Sequence, residues 1–412
     1  MGVRELPMNQ TAKIISIYAA DTSGFCSALY EYGGMSVIHD ASGCNSTYTT
    51  HDEPRWYDMD SMMYISGLTE SDAVMGNDEK FISDLCLAAK ELHPEFVAIC
   101  ASALPAMVGI DMEAIAYEVE DRTGIPAFEV KTNAMQSYIT GAANAFVKLT
   151  KRFASDESAT SAGKSSAISV NILGLTPLDF PLHSSTQKIR DWLTDEGLSL
   201  NSFVGMDTSL EDIKRLPQGD VSLVVSSIGK PLAEYLYQKY KIPYVIGTPY
   251  GQGFADYLAD SIRKAAGNKE NINAVLMCRQ ERNAISNNYS HTDKTRITII
   301  GESILSTSLA AALSLDKATQ TPYVIRVIES VGDGDMSVLA PELKDISCSE
   351  ESLLEEEIKN ADIIIADPLF QPICHGKHFV RLPHRAFSGR TFDREEKQLI
   401  GISLNELLKH TS

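Results

Sequence analysis

The chain has 412 residues, 44% of them hydrophobic and 22% charged, which is a globular composition and excludes disordered, collagen-like and coiled-coil classes. At about 100 to 200 residues per domain it should fold as two to four units, and three is the working number. A formal net charge of -19 withholds the clustered Lys and Arg that a phosphate backbone requires, so a nucleic-acid partner is not expected.

The opening MGVRELPMNQTAKIISIY lacks an apolar core followed by a small-residue cleavage site, so no secretory signal is read there. The longest nearly apolar run, residues 96–110, is shorter than about 18 residues and is broken by Ser102 and Pro105. No membrane span and a cytoplasmic location are therefore expected.

In chain order, KIISIY (13–18) predicts a strand, 77–92 a helix, 96–100 a strand, 112–123 a helix and 126–130 a strand. The first helix is supported by Phe81, Leu85, Ala89 and Leu92, which fall on one face. Residues 151–166 (KRFASDESATSAGKSS) turn small and polar, as a linker does. A second unit follows, with strands at 167–175, 221–226 and 244–247 and a helix at 254–266. After the polar stretch 281–294 a third begins, with strands at 296–300, 323–328 and 362–366 and a helix at 303–315. Apolar strands such as DIIIAD read as buried on both faces. The expected fold is therefore α/β, three Rossmann-like domains with parallel sheets covered by helices, at 1–155, 165–285 and 294–412.

Two motifs invite a nucleotide and fail. Gly163-Lys164-Ser165 has Ser158 where a phosphate loop needs glycine, and Gly251-Gln252-Gly253 lacks a third glycine, which favours a tight turn. The chain is not expected to bind ATP itself. His291 sits in a polar stretch and reads as solvated.

Seven cysteines, at 26, 44, 86, 100, 278, 348 and 374, include no CxxC pair and do not form a secreted disulfide framework. Cys26 (TSGFCSALY), Cys44 (VIHDASGC) and Cys100 (FVAIC) are expected at the carboxyl ends of strands or in the loops beyond, which in an open parallel sheet share one edge. Three thiolates converging there could hold iron. A single cysteine in an apolar strand is more often a small core residue, and both readings stay open on spacing alone.

VIHDASGC resembles the His-Gly-Pro-x-Gly-Cys type loop of nitrogenase component 1 proteins. The run YISGLTESDAVMGNDEKFISDLCLAAKELHPEFVAICASALPAMVGIDMEAIAYEVEDRTGIPAF is similar to the same family in its acidic segment Glu70 to Gly76, its helix start at Glu79-Lys80, its strand ending in Cys100 and its helix start at Gly109 to Asp111. The resemblance implies that Cys26, Cys44 and Cys100 bind an iron-sulfur cluster, 4Fe-4S or an 8Fe-7S P-cluster-like group, in an anaerobic oxidoreductase subunit. It further implies pairing as a homodimer or with a related component 1 chain, and electrons from a separate nitrogenase-reductase-like ATPase. The alternative is a metallocofactor assembly scaffold without turnover. Cys86 has no counterpart and reads as core, as do Cys278, Cys348 and Cys374.

The family anchors its catalytic cofactor through a cysteine that this chain lacks, since VVSSIGKPL offers only Ser226 and Ser227. Dinitrogen reduction is therefore not expected; a second metallocofactor or a tetrapyrrole stays open. His384 in RLPHRAFSGR, with Arg385, is the candidate catalytic pair, and Arg381 and Arg390 beside them suit an anionic substrate or cofactor. Asp367 and His375 are weaker candidates for the same cavity.

Overall fold

The computed structural model describes residues 12–41, 43, 45, 48–50, 52–155, 167–286, 295–315, 323–402, 404 and 407. Its strands form three sheets, and every strand pairing within them is parallel. The first holds β1 (Met35–His39), β2 (Met62–Ile65), β3 (Val97–Ala101) and β4 (Ala127–Glu129) in the order β2-β1-β3-β4. The second holds β5 (Ser169–Leu175), β6 (Ser199–Gly205), β7 (Val221–Val224) and β8 (Tyr244–Ile246) in the order β6-β5-β7-β8. The third holds β9 (Thr295–Gly301), β10 (Tyr323–Glu329), β11 (Ile346–Ser347), β12 (Ile363–Ala366) and β13 (His378–Arg381) in the order β11-β10-β9-β12-β13.

Parallel strands need crossovers that cover both faces, and the central strands show it: β1, β3 and β7 are buried along their whole length. On one face of the first sheet the helix Asp78–Leu92 buries Phe81, Ile82, Leu85, Cys86 and Ala89, while Met112–Thr123 buries Met112, Ile115, Ala116 and Val119. That second helix begins where Asp111 caps the Ala114 amide at 3.0 Å and ends at the left-handed Gly124.

The other face carries the helices Asp21–Leu29 and Tyr138–Phe153, which cross through glycines. A β-carbon on Gly24 would lie 2.0 Å from the Tyr138 carbonyl oxygen, and one on Gly141 would lie 1.9 Å from that of Asp21. The backbones touch, as small residues allow. Asp21 tightens the contact from below, accepting the Asn133 and Ala134 amides at 2.8 Å each.

Several local expectations need correction. KIISIY is an extended arm and no strand: Ile17 and Tyr18 donate to the carbonyls of Phe387 and Ala386, outside any sheet. Cys26 lies within the helix Asp21–Leu29, every residue of which is buried, so it does not follow a strand. Helix extends into both polar stretches, to Phe153 and to Ser286, and the segments 156–166 and 287–294 lie outside the described residues, with His291 and Gly163-Lys164-Ser165 among them. Gly251 takes φ +59 and opens the helix Gln252–Asn268, as a tight turn does. Among the described residues no helix is long and apolar enough to cross a membrane.

Candidate functional site

In each sheet the strand order reverses between two central strands, the position beyond whose carboxyl ends parallel sheets bind ligands. The residues that leave those ends are polar or thiol-bearing. Asp40 follows β1 and Cys100 is the penultimate residue of β3; Asp179 and Ser227 follow β5 and β7; Glu302 and Asp367 follow β9 and β12.

At the first sheet Cys26 and Cys100 share one apolar core although one belongs to a helix and the other to a strand. Both are buried in the same apolar cluster, 1% and 0% exposed. Burial raises both thiol pKa values; a negative charge on Cys26 raises that of Cys100 further, and Asp21 and Asp40 add to it. Cys44 lies outside the described residues, but its loop neighbour Asn45 reaches both flanks, donating to Asp40 at 2.7 Å and accepting from Thr22 at 3.3 Å. Among the described residues no three His, Cys, Asp or Glu side chains form a metal-ion site.

The remaining cysteines are packed elsewhere. Cys86 sits under the first sheet among Phe81, Leu85 and Val119; Cys278 belongs to the shared core of the second and third sheets; Cys348 and Cys374 lie under the third.

Beyond the second and third sheets lies one open cavity, lined by Asp179, Glu302, Asp367, His384 and Arg385 among apolar walls such as Phe180, Leu305 and Leu382. His384 Nε2 lies 2.9 Å from Asp179 Oδ1, which also accepts the Tyr138 hydroxyl at 2.7 Å. The His384 backbone amide donates to Asp367 at 2.7 Å. Burial works against a charged His384, yet the Asp179 hydrogen bond and the charges of Asp179, Asp367 and Glu302 outweigh it and raise its pKa above the ordinary 6.5.

Burial pushes Glu302 up to about 7, with the Asp179 charge adding, against hydrogen bonds from Ser227 and the Leu305 and Ile304 amides. Burial likewise raises Asp367. Arg385 reaches the cavity wall but spends one terminal nitrogen on Asp393 and Glu396, at 3.0 and 2.7 Å. Arg381 pairs with Glu395 at 3.1 Å and Arg390 with Asp52 at 2.8 Å; His375 is exposed and away from the lining. Sequence reasoning missed Tyr138, Asp179 and Glu302. The one local signal was an acid set between apolar residues, as in TPLDF.

The family model described as nitrogenase component 1 type oxidoreductase matches residues 32–320. The chain belongs to this family. One subunit of the light-independent protochlorophyllide reductase of Pelodictyon phaeoclathratiforme is 28% identical over 193 residues, 45% of this chain and 34% of that protein. The corresponding protein of Chlorobium phaeobacteroides is 30% identical over 161 residues, 39% of this chain and 29% of that protein. The chain thus matches about a third of the length of these curated relatives. The solved structure "Nitrogenase Cp1 at pH 6.5" superposes with a TM-score of 0.63 at 17% identity, covering 92% of this chain and 88% of that one, a likeness of fold.

Proposed function

We propose that this chain is a nitrogenase-like oxidoreductase subunit in which Cys26, Cys44 and Cys100 hold an iron-sulfur cluster and the cavity beside His384 receives the substrate. The observation that supports this reading is the burial of Cys26, from a helix, and Cys100, from a strand, in one apolar core. Their chemistry fits the group: soft sulfur donors suit iron, and burial that disfavours a bare thiolate is relieved when a cation takes the proton's place. When bound, the cluster supplies one-electron transfer at low potential.

The protein's own residues do the rest. Asp21 and the Gly24–Gly141 crossing fix the helix that carries Cys26, and β3 fixes Cys100. Three thiolates leave a four-iron cluster one ligand short of the usual four. The fourth comes from a partner chain, an Asp or a non-protein group, which favours a homodimer or a pair with a related chain. Electrons come from a separate ATP-hydrolysing iron-sulfur reductase. The names of the relatives favour a tetrapyrrole among the candidate substrates. A cytoplasmic location follows from this chemistry.

Iron and acid-labile sulfide analysis with electron paramagnetic resonance on anaerobically purified protein tests the reading. Stoichiometric iron and sulfide with a reducible cluster signal are expected. A colourless protein without either would overturn it.

A further inference from the structure

Tyr138, Asp179 and His384 come from three parts of the chain: the first turn of the Tyr138–Phe153 helix, the loop after β5 and the loop after β13. Asp179 Oδ1 accepts from both of the others, while its Oδ2 is buried without a hydrogen bond among the described residues. The His384 ring is held by a hydrogen bond and two aromatic neighbours. Its backbone is tied to Asp367, and the rings of Phe387 and Tyr138 stand 5.0 and 6.2 Å away, centroid to centroid. A carboxylate at Nε2 requires the hydrogen there, so the neutral ring carries Nε2–H and Nδ1 is the nitrogen outside that bond, on a side chain that lines the cavity.

We propose that Asp179, which also accepts the Tyr138 hydroxyl, is a positioning residue that holds His384 with Nδ1 toward the cavity as the proton donor to the substrate. The proposal rests on the reading of that cavity as the substrate site of a reductase. In the step, one electron from the low-potential iron-sulfur reductant enters an unsaturated bond of the substrate. The Nδ1–H bond of the imidazolium breaks and a substrate–H bond forms. His384 is left neutral, still donating from Nε2 to Asp179, and water at the cavity mouth restores the proton before the second electron arrives.

The groups facing the ring suit the role. Asp179 and Asp367 face it with negative charge, joined by Glu302 once that acid ionises above about 7, and Tyr138 shares Asp179 with it. Glu396 and Arg385 form an ion pair beside it, so the guanidinium is partly neutralised. The balance favours the charged imidazole against its burial. Structural glue would need neither a particular tautomer nor a charge.

The test is nitrogen-15 magnetic resonance of histidine-labelled full-length protein, with His384 assigned by its loss in His384→Gln. The wild type should show the Nε2–H tautomer when neutral and titrate above 6.5. Asp179→Asn should weaken proton affinity about tenfold or more. Tyr138→Phe, which frees Asp179 to bond the ring alone, should leave it unchanged or strengthen it. An Nδ1–H tautomer, or equal titration in wild type and Asp179→Asn, overturns the proposal.

The second readout is the pH profile of substrate reduction, in which the rate must fall as pH rises through the His384 pKa, and at lower pH in Asp179→Asn. A titration that moves while the profile stays put overturns the donor role. A protein without iron and sulfide fails the reductase reading, and the donor role with it, whatever the ring's tautomer. A cluster-bearing protein with an unshifted ring fails the donor assignment alone.

Discussion

Gly24 and Gly141 meet across two helices with no room for a β-carbon on either, each facing a carbonyl oxygen of the opposite helix about 2 Å from where that atom would stand. This crossing joins the two candidate sites mechanically. One helix carries Cys26, the other begins with Tyr138, and both residues lie in one core that also contains Cys100.

Gly141→Ala should therefore destabilise the protein by about 1–3 kcal/mol, the usual cost of forcing a methyl group into a packed interior. It should also lower bound iron, because the Cys26 helix must shift to make room. Urea unfolding and iron analysis on the same preparation check both effects. An unchanged midpoint and full iron content would show that the helices do not need this close approach.

The pH dependence of stability should carry the signature of Glu302. Its folded pKa of about 7 lies above the unfolded carboxylate value, so the folded state binds the proton more tightly. The contribution is complete below about pH 4.5 and is lost as pH rises to about 7, a swing on the order of 3 kcal/mol. His384, also raised, adds in the same direction: its contribution is complete below about 6.5 and fades above its folded value. Because glutamine stands in for the neutral acid at every pH, wild type should lose stability relative to Glu302→Gln as pH rises over the Glu302 window, as measured by urea unfolding at several pH values. A constant difference would contradict it.

Much of this architecture could be read from the chain, and the misreadings have physical causes. Alternating apolar strands and one-sided helices such as Asp78–Leu92 leave a clear period, and Cys100 stands near the end of a wholly buried strand as its sequence suggests. The helix Asp21–Leu29 is buried on all sides, so DTSGFCSAL has no amphipathic period to betray it. KIISIY has strand composition, but its partner is the backbone near Phe387, a contact no local pattern encodes. His384 could be singled out in RLPHRAFSGR; its bond to Asp179, 205 residues earlier, could not.

Dinitrogen should not be a substrate. The stretch 224–232 has no cysteine, and its two serines are already engaged: Ser226 donates to the Gly174 carbonyl at 2.7 Å, and Ser227 bonds to Glu302. A neutral hydroxyl is in any case a poor iron ligand. With its reductase, ATP and reductant, the protein should form no ammonia above background. Sustained ammonia from dinitrogen would refute the assignment.

His384→Ala and Arg385→Ala should each abolish substrate reduction while leaving the cluster's paramagnetic spectrum unchanged, since both residues line the cavity and neither belongs to the core that holds the thiols. Arg385→Ala also strips Asp393 and Glu396 of their partner, so its thermal midpoint should fall, whereas Arg385→Lys should restore part of it. Full activity in both alanine variants would move the working site elsewhere.

The central claim is that Cys26, Cys44 and Cys100 hold the iron. Replacing each with alanine, alongside Cys86→Ala as a buried cysteine in a separate core, and counting iron and sulfide per chain under strict anaerobiosis tests it most directly. Loss or conversion of the cluster in the first three variants, with wild-type content in Cys86→Ala, is the expected result. Equal iron in wild type and all three of those variants would contradict it.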